Sequence, residues 1–293
     1  MTYPFSVTQV KKILKQYNIH PKKRYGQNFL IDQNILDKII SLSAITKKDT
    51  IVEIGAGLGA LTFKLAEKAG RILAIEIDRE LTGALTDNLA GFSNIVFIFN
   101  DLLKMDLEQE MKNCFGETCL SYRVCANIPY YVTSPIIFYL LEKCPNMISA
   151  TLMVQKEVAD RILASPGSKD YGLLTIMVYY YCDVRFITQV SRNCFYPRPE
   201  VDSTVISIAP LKKKRVSIIN EELLIEFIRA AFKKRRKTIL NACAEFFKIP
   251  KTELQKQLSQ LGINSNSRPE NLRLEDFAHI VEELASIINN PKY

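Results

Sequence analysis

The stretch VEIGAGLGALT, residues 52–62, is the most informative about the fold. It begins in an apolar run that predicts a strand, and it ends in the first turn of a predicted helix. Glycines at positions 55, 57 and 59 let the backbone turn sharply and approach a ligand closely. With Ala60 in the last place, the stretch also fits the looser dinucleotide fingerprint. Two classes of nucleotide cofactor and a purely structural turn are therefore all compatible with it.

On both sides of this turn, strand-like apolar runs alternate with helical patterns. The predicted strands are Thr50–Ile54, Ile72–Ile77, Ile95–Phe99, Tyr122–Ala126 and Ala150–Val154. The helical stretches lie near Ala60–Ala69, Arg79–Leu89, Ser134–Lys143 and Lys156–Ala164. This alternation predicts an α/β, Rossmann-like core with a mostly parallel sheet and helices on both faces. An apolar segment, helical or extended, then reaches Tyr181, and strands at Val184–Val190 and Thr204–Ile208 would add an antiparallel edge.

The run LKKKRVS, residues 211–217, is typical of a linker, and the pattern beyond it is helical throughout. Asn220 is a suitable N-cap because two acidic residues and a helical apolar pattern follow it. We therefore predict a first domain at 1–210, which includes a basic N-terminal arm, and a small all-helical C-terminal domain at 211–293.

Charge is distributed unevenly along the 293 residues, which carry a net charge of +8. Residues 1–26 and residues 211–293 each carry +6, whereas residues 27–210 carry −4. Basic segments on either side of an acidic core favour a polyanion, most simply nucleic acid, held from two sides. Solvated surface lysines would give the same totals, so charge alone leaves both interpretations open.

Several classes of protein are disfavoured by composition. No apolar run has the length of a membrane span, and the N-terminus lacks the apolar core of a signal peptide. Seven scattered cysteines without a CxxC pair, together with two histidines, argue against a metal site. We expect a cytoplasmic protein with reduced thiols and no metal, which does not bind a membrane.

Acidic residues stand at the ends of the second and third predicted strands. Glu76, about 20 residues beyond the glycines, can accept hydrogen bonds from both hydroxyls of a ribose. Asp101 can accept from the exocyclic amine of an adenine, although taken alone it could equally cap a helix. Because consecutive parallel strands end at one edge, these acids and the glycines should line one crevice.

The fourth strand ends in CANIPYYV, residues 125–132, which separates the possible cofactors. The side chain of Asn127 and the main-chain carbonyl of Ile128 supply two acceptors, and Pro129 makes the turn rigid. Acceptors on both hydrogens of an adenine N6 amine would make its nitrogen more nucleophilic, and Tyr130 offers a face for a flipped base. Hydride transfer has no use for this arrangement.

The order of motifs along the chain resembles the ribosomal RNA small-subunit adenine dimethyltransferase family. The matching motifs are RYGQNFL (24–30), VEIGAGLG, AIEIDR, ND, NIPYYVTSP, FYPRPEVDS (195–203) and AAFKKRRKT (230–238). They cover nearly the whole chain. The resemblance implies a class I S-adenosylmethionine-dependent methyltransferase core and S-adenosylmethionine as the methyl donor.

The resemblance also implies roles for individual residues. The cofactor would be held by Asn28, Leu30, Gly55, Glu76, Asp101 and Asn127. Asn127 would also act on the target amine, with Tyr130 and Phe195 on opposite faces of the target adenine. The alternative for FYPRPEVDS is a proline-stiffened turn between the last strands.

Departures from the family pattern are few. Ala56 replaces an expected proline, Ile128 a leucine, and Leu240 an arginine. Leu240 weakens the expectation that its helix contacts RNA. Lys233 to Lys237 remain five consecutive positive charges, for which RNA contact or a solvated helix face are the two interpretations.

The function that we predict is N6,N6-dimethylation of two adjacent adenosines in the 3′-terminal hairpin of small-subunit rRNA, with a role in subunit biogenesis. The expected partner is rRNA in a partly assembled 30S particle, bound by a monomer. The alternatives are a large-subunit rRNA adenine methyltransferase of the antibiotic-resistance type and a non-catalytic RNA-binding assembly factor. An NAD-dependent dehydrogenase is the least favoured.

Overall fold

The computed structural model describes residues 3–117, 121–234 and 236–289. It divides into two compact units. The first comprises the residues up to Ala159 together with Asp183–Pro210, and the second comprises Asp160–Cys182 and the residues from Leu211 onward.

Helices and strands alternate through the first unit. Its strands are β1 Phe29–Leu30, β2 Thr50–Ile54, β3 Arg71–Glu76, β4 Ile95–Phe99, β5 Tyr122–Asn127, β6 Met147–Gln155, β7 Cys182–Val190, β8 Phe195–Tyr196 and β9 Ser203–Pro210. Its helices are α1 Val7–Gln16, α2 Gln33–Leu42, α3 Ala60–Lys68, α4 Thr82–Asn88, α5 Leu107–Phe115, α6 Thr133–Lys143 and the start of α7 Lys156–Ile162.

Seven strands form the main sheet in the order β4-β3-β2-β5-β6-β9-β7. The five strands from β4 to β6 are parallel, and β9 pairs antiparallel with β6. The predicted parallel core with an antiparallel strand after it is confirmed. Right-handed crossovers place α3 and α4 on one face and α5 and α6 on the other.

The order of the strands reverses between β2 and β5. From β2 the chain proceeds through β3 to β4 on one side, and later through β5 to β6 on the other. The two connections that leave β2 and β5 therefore diverge, and they open a crevice at the carboxyl ends of these strands. Gly55 directly follows β2, and Asn127 is the last residue of β5. The topology brings these two predicted site residues to the same place.

β2 is apolar because it lies in the core of the first unit. All five residues of β2 are buried, as expected for a central parallel strand covered on both faces. The local signals at the helix ends are also present. Ser6 and Gln9 form a capping box at α1, and the side chain of Asp32 accepts hydrogen bonds from two backbone N–H groups at the start of α2.

Apart from the end of α7, the second unit contains five helices among the described residues. They are α8 Leu173–Tyr181, α9 Glu221–Phe232, α10 Ile239–Phe247, α11 Lys251–Gln260 and α12 Leu274–Asn289. The segment before Tyr181, which the sequence leaves helical or extended, is the helix α8. Asn220 caps α9 as predicted, because its side chain accepts a hydrogen bond from Leu223 N at 2.9 Å. Packed aromatic rings on α9, α10 and α12 form the centre of the unit: Phe227, Phe232, Phe246, Phe247 and Phe277.

The division between the units differs from the predicted boundary in one respect. Residues 160–182, which the sequence places with the first domain, belong to the helical unit. The reason is tertiary: α8 packs against α9, and Gly167 N donates a hydrogen bond to Glu270 O at 2.8 Å. Contacts between segments this far apart in sequence are not visible in the local pattern. The second unit resumes at Leu211, where the predicted helical domain begins.

Candidate functional site

A cavity of about 810 Å³, counting its open mouth, lies in the first unit at the carboxyl ends of β2, β3 and β5. Six of the predicted site residues line it: Asn28, Leu30, Gly55, Glu76, Asn127 and Tyr130. The crevice that the order of strands predicts is therefore present, and residues from four separate motifs meet in it.

Glycine is required in the turn after β2. Gly55 and Gly57 have φ angles of +78° and +61°, which L-residues with side chains rarely adopt. A Cβ at Gly57 would also lie 3.3 Å from a ring carbon of Phe29. The turn therefore brings main chain without side chains to the cavity wall.

Glu76 is held in a fixed orientation by backbone donors. Gly57 N donates to Oε2 and Asp78 N donates to Oε1, both at 2.8 Å. The residue is only 5% exposed, and burial raises the pKa of its carboxyl, while the backbone hydrogen bonds act in the opposite direction. Each oxygen keeps a lone pair that can accept from a ligand hydroxyl.

A second cavity, of about 390 Å³, adjoins the first. Gly55 and Pro129 line both cavities, and Asp101 lines the second. Asp101 also caps a 3-10 turn, because its Oδ1 accepts from Leu103 N at 3.1 Å. Both interpretations of Asp101, as a cap and as a cavity residue, are thus compatible with its position.

The segment around Asn28 is tied to the NIPY turn and to β8. Asn127 Nδ2 donates to Asn28 O at 3.3 Å, and the side-chain amide of Asn28 donates to Gly26 O at 3.1 Å. Antiparallel pairing sets Leu30 opposite Phe195. The motifs QNFL, NIPY and FYPRP, far apart in sequence, are therefore in direct contact.

Tyr130 and Phe195 differ in their surroundings. Tyr130 is half-buried at the cavity wall, and its hydroxyl shares a hydrogen bond of 2.6 Å with Ser203 Oγ. Phe195 is 3% exposed and packs in the apolar core, and in the described part of the chain it lines neither cavity. Of the predicted site residues, Phe195 is the one that the structure does not bring to the cavities.

Sequence reasoning missed four residues that support or line this site: Gln27, Glu53, Asp78 and Ser203. Gln27 Nε2 donates to Asp78 Oδ2 at 2.7 Å, and Lys22 Nζ lies 2.9 Å from Asp78 Oδ1. An acidic residue inside the apolar run TIVEI was the one available signal for Glu53. The contacts of Gln27, Asp78 and Ser203 reach across 51 and 73 residues, so no local pattern identifies them.

The predicted RNA-contact run in the second unit contains a local ion-pair network. Lys234 and Lys237 lie 2.6 Å and 2.7 Å from the two carboxylate oxygens of Glu245. Hydrogen bonds from these lysines lower the pKa of Glu245 to about 2. Arg235 lies outside the described residues. Leu240, at a position where the family pattern has arginine, lies in the first turn of α10.

Residues 3–117, 121–234 and 236–289 contain no group of three or more His, Cys, Asp or Glu side chains placed to hold a metal ion.

Among the helices within those ranges, none combines the length and the apolar character needed to cross a lipid bilayer.

Comparison with known proteins gives one consistent family. Residues 18–286 match the sequence profile of the family described as Ribosomal RNA adenine dimethylase. A relative from Clostridium acetobutylicum, named Ribosomal RNA small subunit methyltransferase A, is 44% identical over 274 residues, which are 94% of this chain and 97% of the relative.

Two solved structures share the fold. A dimethyladenosine transferase from Plasmodium falciparum is 28% identical, with a TM-score of 0.72 over 87% of this chain and 96% of its own. The 23S rRNA methyltransferase ErmE is 25% identical, with a TM-score of 0.65 over 88% of this chain and 100% of its own. The predicted methyltransferase fold is thereby confirmed.

Proposed function

Because the chain belongs to the ribosomal RNA adenine dimethylase family, we propose that it dimethylates adenine N6 in small-subunit rRNA with S-adenosylmethionine as the methyl donor. The targets that we propose are two adjacent adenosines in the 3′-terminal hairpin of 16S rRNA. The protein is a methyltransferase, and its methylation reaction accompanies biogenesis of the small subunit.

One observation carries the proposal. The NIPY turn forms a wall of the cavity whose other walls are the glycine turn and Glu76. An acceptor side chain for an amine therefore borders the site that is shaped for a nucleoside cofactor. A dehydrogenase requires a site for a nicotinamide and gains nothing from an Asn-Ile-Pro-Tyr turn there.

The residues that line the cavities fit S-adenosylmethionine. A carboxylate with fixed orientation suits a ribose, and positive-φ glycines let the main chain of the protein approach the ligand closely. We propose that Asn28, Leu30, Gly55, Glu76, Asp101 and Asn127 hold the cofactor. Order along the sheet supports this assignment, because Asp101 lies just after β4, Glu76 is the last residue of β3 and Gly55 directly follows β2, and these three strands are adjacent.

The cofactor supplies a sulfonium methyl group, which is an electrophile without help from the protein. The residues of this chain then have to position the adenine amine and exclude water. Asn127 Oδ1 and the carbonyl of Ile128 accept hydrogen bonds from the two amine hydrogens, and Tyr130 stacks on the base. As a neutral acceptor, Asn127 tolerates the loss of one N–H after the first methylation. We propose that the ring of Phe195 packs on the face of the base opposite Tyr130.

Large-subunit methylation is the alternative within the same chemistry, since ErmE shares the fold. Curated relatives at 40–44% identity carry the small-subunit name, and this supports the small-subunit target. A non-catalytic assembly factor is disfavoured because each cofactor-binding position predicted from the family is present in the sequence.

The partner that we propose is rRNA in a partly assembled 30S particle, which the protein binds as a monomer in the cytoplasm. Exposed lysines of α1 and the basic run 233–237 support phosphate contacts. Recognition of a hairpin with exposed loop bases fits a site that takes in a single flipped adenine.

Incubation with labelled S-adenosylmethionine tests the proposal. Unmethylated small subunits, large subunits and protein-free 16S rRNA serve as the three substrates, and the labelled nucleotides are mapped. We expect label on adjacent adenosines near the 3′ end of 16S rRNA in the small-subunit sample. Label confined to 23S rRNA, or none in any sample, would overturn it.

A further inference from the structure

Four cations follow one another in the segment that leads into α9: Lys212, Lys213, Lys214 and Arg215. All four side chains are exposed. Lys214 forms an ion pair with Glu221, which partly neutralises its charge. Lys212 and Lys213 form no ion pair with any of the described residues. Two adjacent exposed ammonium groups therefore have no counter-charge from the described parts of the chain.

Arg215 is held in one orientation at the end of α8. Its Nε donates a hydrogen bond to Tyr179 O at 2.8 Å, and its Nη2 donates to Cys182 O at 3.2 Å. The last carbonyls of a helix have no partner within the helix, so Arg215 satisfies the end of α8. The guanidinium group is therefore fixed in place by the fold.

The same guanidinium group lies against the ring of Tyr179. Its central carbon is 4.1 Å from the ring centroid, which is within the range of a cation–π contact. Tyr179 is nevertheless 44% exposed, whereas Tyr180, the next residue, is 1% exposed. Folding of the helical unit thus leaves one aromatic ring in water beside a cluster of cations.

An exposed aromatic ring among cations fits single-stranded RNA. Unpaired bases stack on aromatic rings and on guanidinium planes with little regard to sequence. Lysine side chains beside such a ring contact the phosphates of the same strand. The ring of Tyr179 and the ammonium groups of Lys212 and Lys213 supply both kinds of contact.

We propose that Tyr179, Lys212, Lys213 and Arg215 form a second RNA-binding surface, at which an unpaired base of the rRNA stacks on the ring of Tyr179. The phosphates next to this base contact the two lysines. The inference rests on the proposed function, since that function supplies the RNA. None of the four residues lines either cavity, and none belongs to the basic run 233–237. The surface therefore contributes affinity for the substrate and takes no part in methyl transfer.

A purely structural role for these residues leads to a different result. Capping of α8 requires Arg215, but it requires neither the ring of Tyr179 nor the charges of Lys212 and Lys213. Removal of the ring or of the two lysines would then leave binding of the RNA unchanged.

Binding of the protein to unmethylated small subunits tests the stacking contact. Tyr179→Ala should weaken binding about 5- to 100-fold, the scale of one base stacked on an aromatic side chain. Tyr179→Phe keeps the ring and is the matched control. Its affinity should stay within about twofold of the wild-type value, because stacking does not require the hydroxyl group.

The salt dependence of the same binding tests the lysines. Joint substitution Lys212→Ala and Lys213→Ala should lower the slope of log K against log salt concentration by about 1.4–1.8, since each lost phosphate contact removes about 0.7–0.9. Joint substitution Lys251→Ala and Lys256→Ala removes the same charge from exposed positions of α11 and should keep the wild-type slope.

The outcomes distinguish this inference from the proposed function. Wild-type affinity in Tyr179→Ala, or a wild-type salt slope in the variant without Lys212 and Lys213, overturns the second surface alone. Equal weakening in Tyr179→Ala and Tyr179→Phe also overturns it, because the ring would then not be the group that matters. If the wild-type protein neither binds nor methylates small subunits, both proposals fall.

A second measurement does not depend on any variant. The wild-type protein bound to unmethylated small subunits is irradiated with ultraviolet light, and tryptic peptides that carry a nucleotide are identified by mass spectrometry. We expect a nucleotide on Tyr179, in the peptide 170–185 that cleavage after Lys169 and Arg185 releases. Nucleotides found only on other peptides would contradict the stacking contact.

Discussion

The hydroxyl groups of Tyr130 and Ser203 share a hydrogen bond of 2.6 Å between residues 73 positions apart. Ser203 is fully buried at the start of β9, whereas Tyr130 stands at the cavity wall. The bond joins the end of FYPRPEVDS to the NIPY turn, and it fixes the ring of Tyr130 on one side. Ser203 is therefore a positioning residue for the proposed base-stacking ring.

Ser203→Ala should lower kcat/KM for the RNA about 2- to 10-fold, because a neutral hydrogen bond contributes about 0.5–1.5 kcal/mol. Binding of the cofactor should not change, since this hydrogen bond does not involve Glu76, which is proposed to bind the ribose. The same substitution in a Tyr130→Phe background should have no further effect, and this double-mutant cycle checks the pairing. Ser207→Ala, farther along β9, is the control. An equal loss in both backgrounds would show that the two side chains act separately.

Asn127→Ala should lower methyl transfer by about 10²–10³-fold, the scale of removing one positioned polar group from a reacting centre. Binding of S-adenosylmethionine should weaken less than about tenfold, because the other cofactor residues remain. Single-turnover kinetics and calorimetry measure the two effects separately, with Asn113→Ala on the exposed face of α5 as the control. Full activity in Asn127→Ala would remove this residue from the proposed chemistry.

Gln27→Ala should loosen the N-terminal arm and weaken cofactor binding. Gln27 connects the arm to the buried Asp78, and its own Oε1 accepts from Lys22 N at 2.7 Å. We expect the dissociation constant of S-adenosylhomocysteine to rise about 2- to 10-fold, and trypsin to cleave faster after Lys22 and Arg24. Cleavage after Lys104 serves as the internal reference. Unchanged cleavage and binding would show that the arm is held without this bond.

Low pH should loosen the same arm. Burial raises the pKa of Asp78, but hydrogen bonds from Lys22 and Gln27 outweigh it, so the pKa is lowered overall. An acid whose folded pKa is lowered stabilises the folded state above its unfolded pKa, and this contribution is lost as pH falls through the folded pKa. Faster tryptic cleavage of the arm cannot be followed at such pH, so pepsin cleavage between pH 2 and 4 is the measurement. Asp78→Asn should abolish the pH dependence of cleavage in the arm, and persistence of that dependence would contradict the assignment.

Glu53 should make the ligand-free protein less stable as pH rises. Its folded pKa of about 8 exceeds the usual value of a glutamate, so the folded state binds more protons between pH 5 and 8. Stability then falls with pH by at most about 1.4 kcal/mol per unit from this group. Burial also raises the pKa values of Glu76 and Cys125. These two groups therefore add to the pH dependence of stability.

Glu53→Gln should flatten the decrease in the free energy of unfolding across this range, as urea titrations at several pH values would show. Glu67→Gln should keep the slope of the wild-type protein. Parallel slopes in Glu53→Gln and in the wild-type protein would indicate that Glu53 is ionised when buried.

Local patterns predicted the parts of the fold that local physics determines. The strands β2 and β4 have the bounds that the sequence predicts, because turn residues and glycines flank short apolar runs. Asn220 caps α9 for the same reason. The grouping of residues 160–182 with the helical unit could not be predicted, because it depends on packing against distant helices.

Some features of the candidate site could also be predicted from local patterns, and others could not. Gly55, Glu76 and Asn127 were predictable, because each directly follows or ends a parallel strand and such ends share one edge. The burial of Glu53 and the bond from Ser203 to Tyr130 depend on the surroundings of each side chain in three dimensions. The burial of Phe195 also follows from tertiary pairing, with β8 against β1.

Dimethylation of small-subunit rRNA is tested most directly by the count of N6,N6-dimethyladenosine in this RNA after reaction with the purified protein. Unmethylated small subunits are incubated with excess S-adenosylmethionine, and the digested 16S rRNA is analysed by mass spectrometry. We expect two dimethylated adenosines per RNA, adjacent in one 3′-terminal fragment, and none with Asn127→Ala. Monomethylated adenosine as the end product, or dimethyladenosine found only in 23S rRNA, would contradict it.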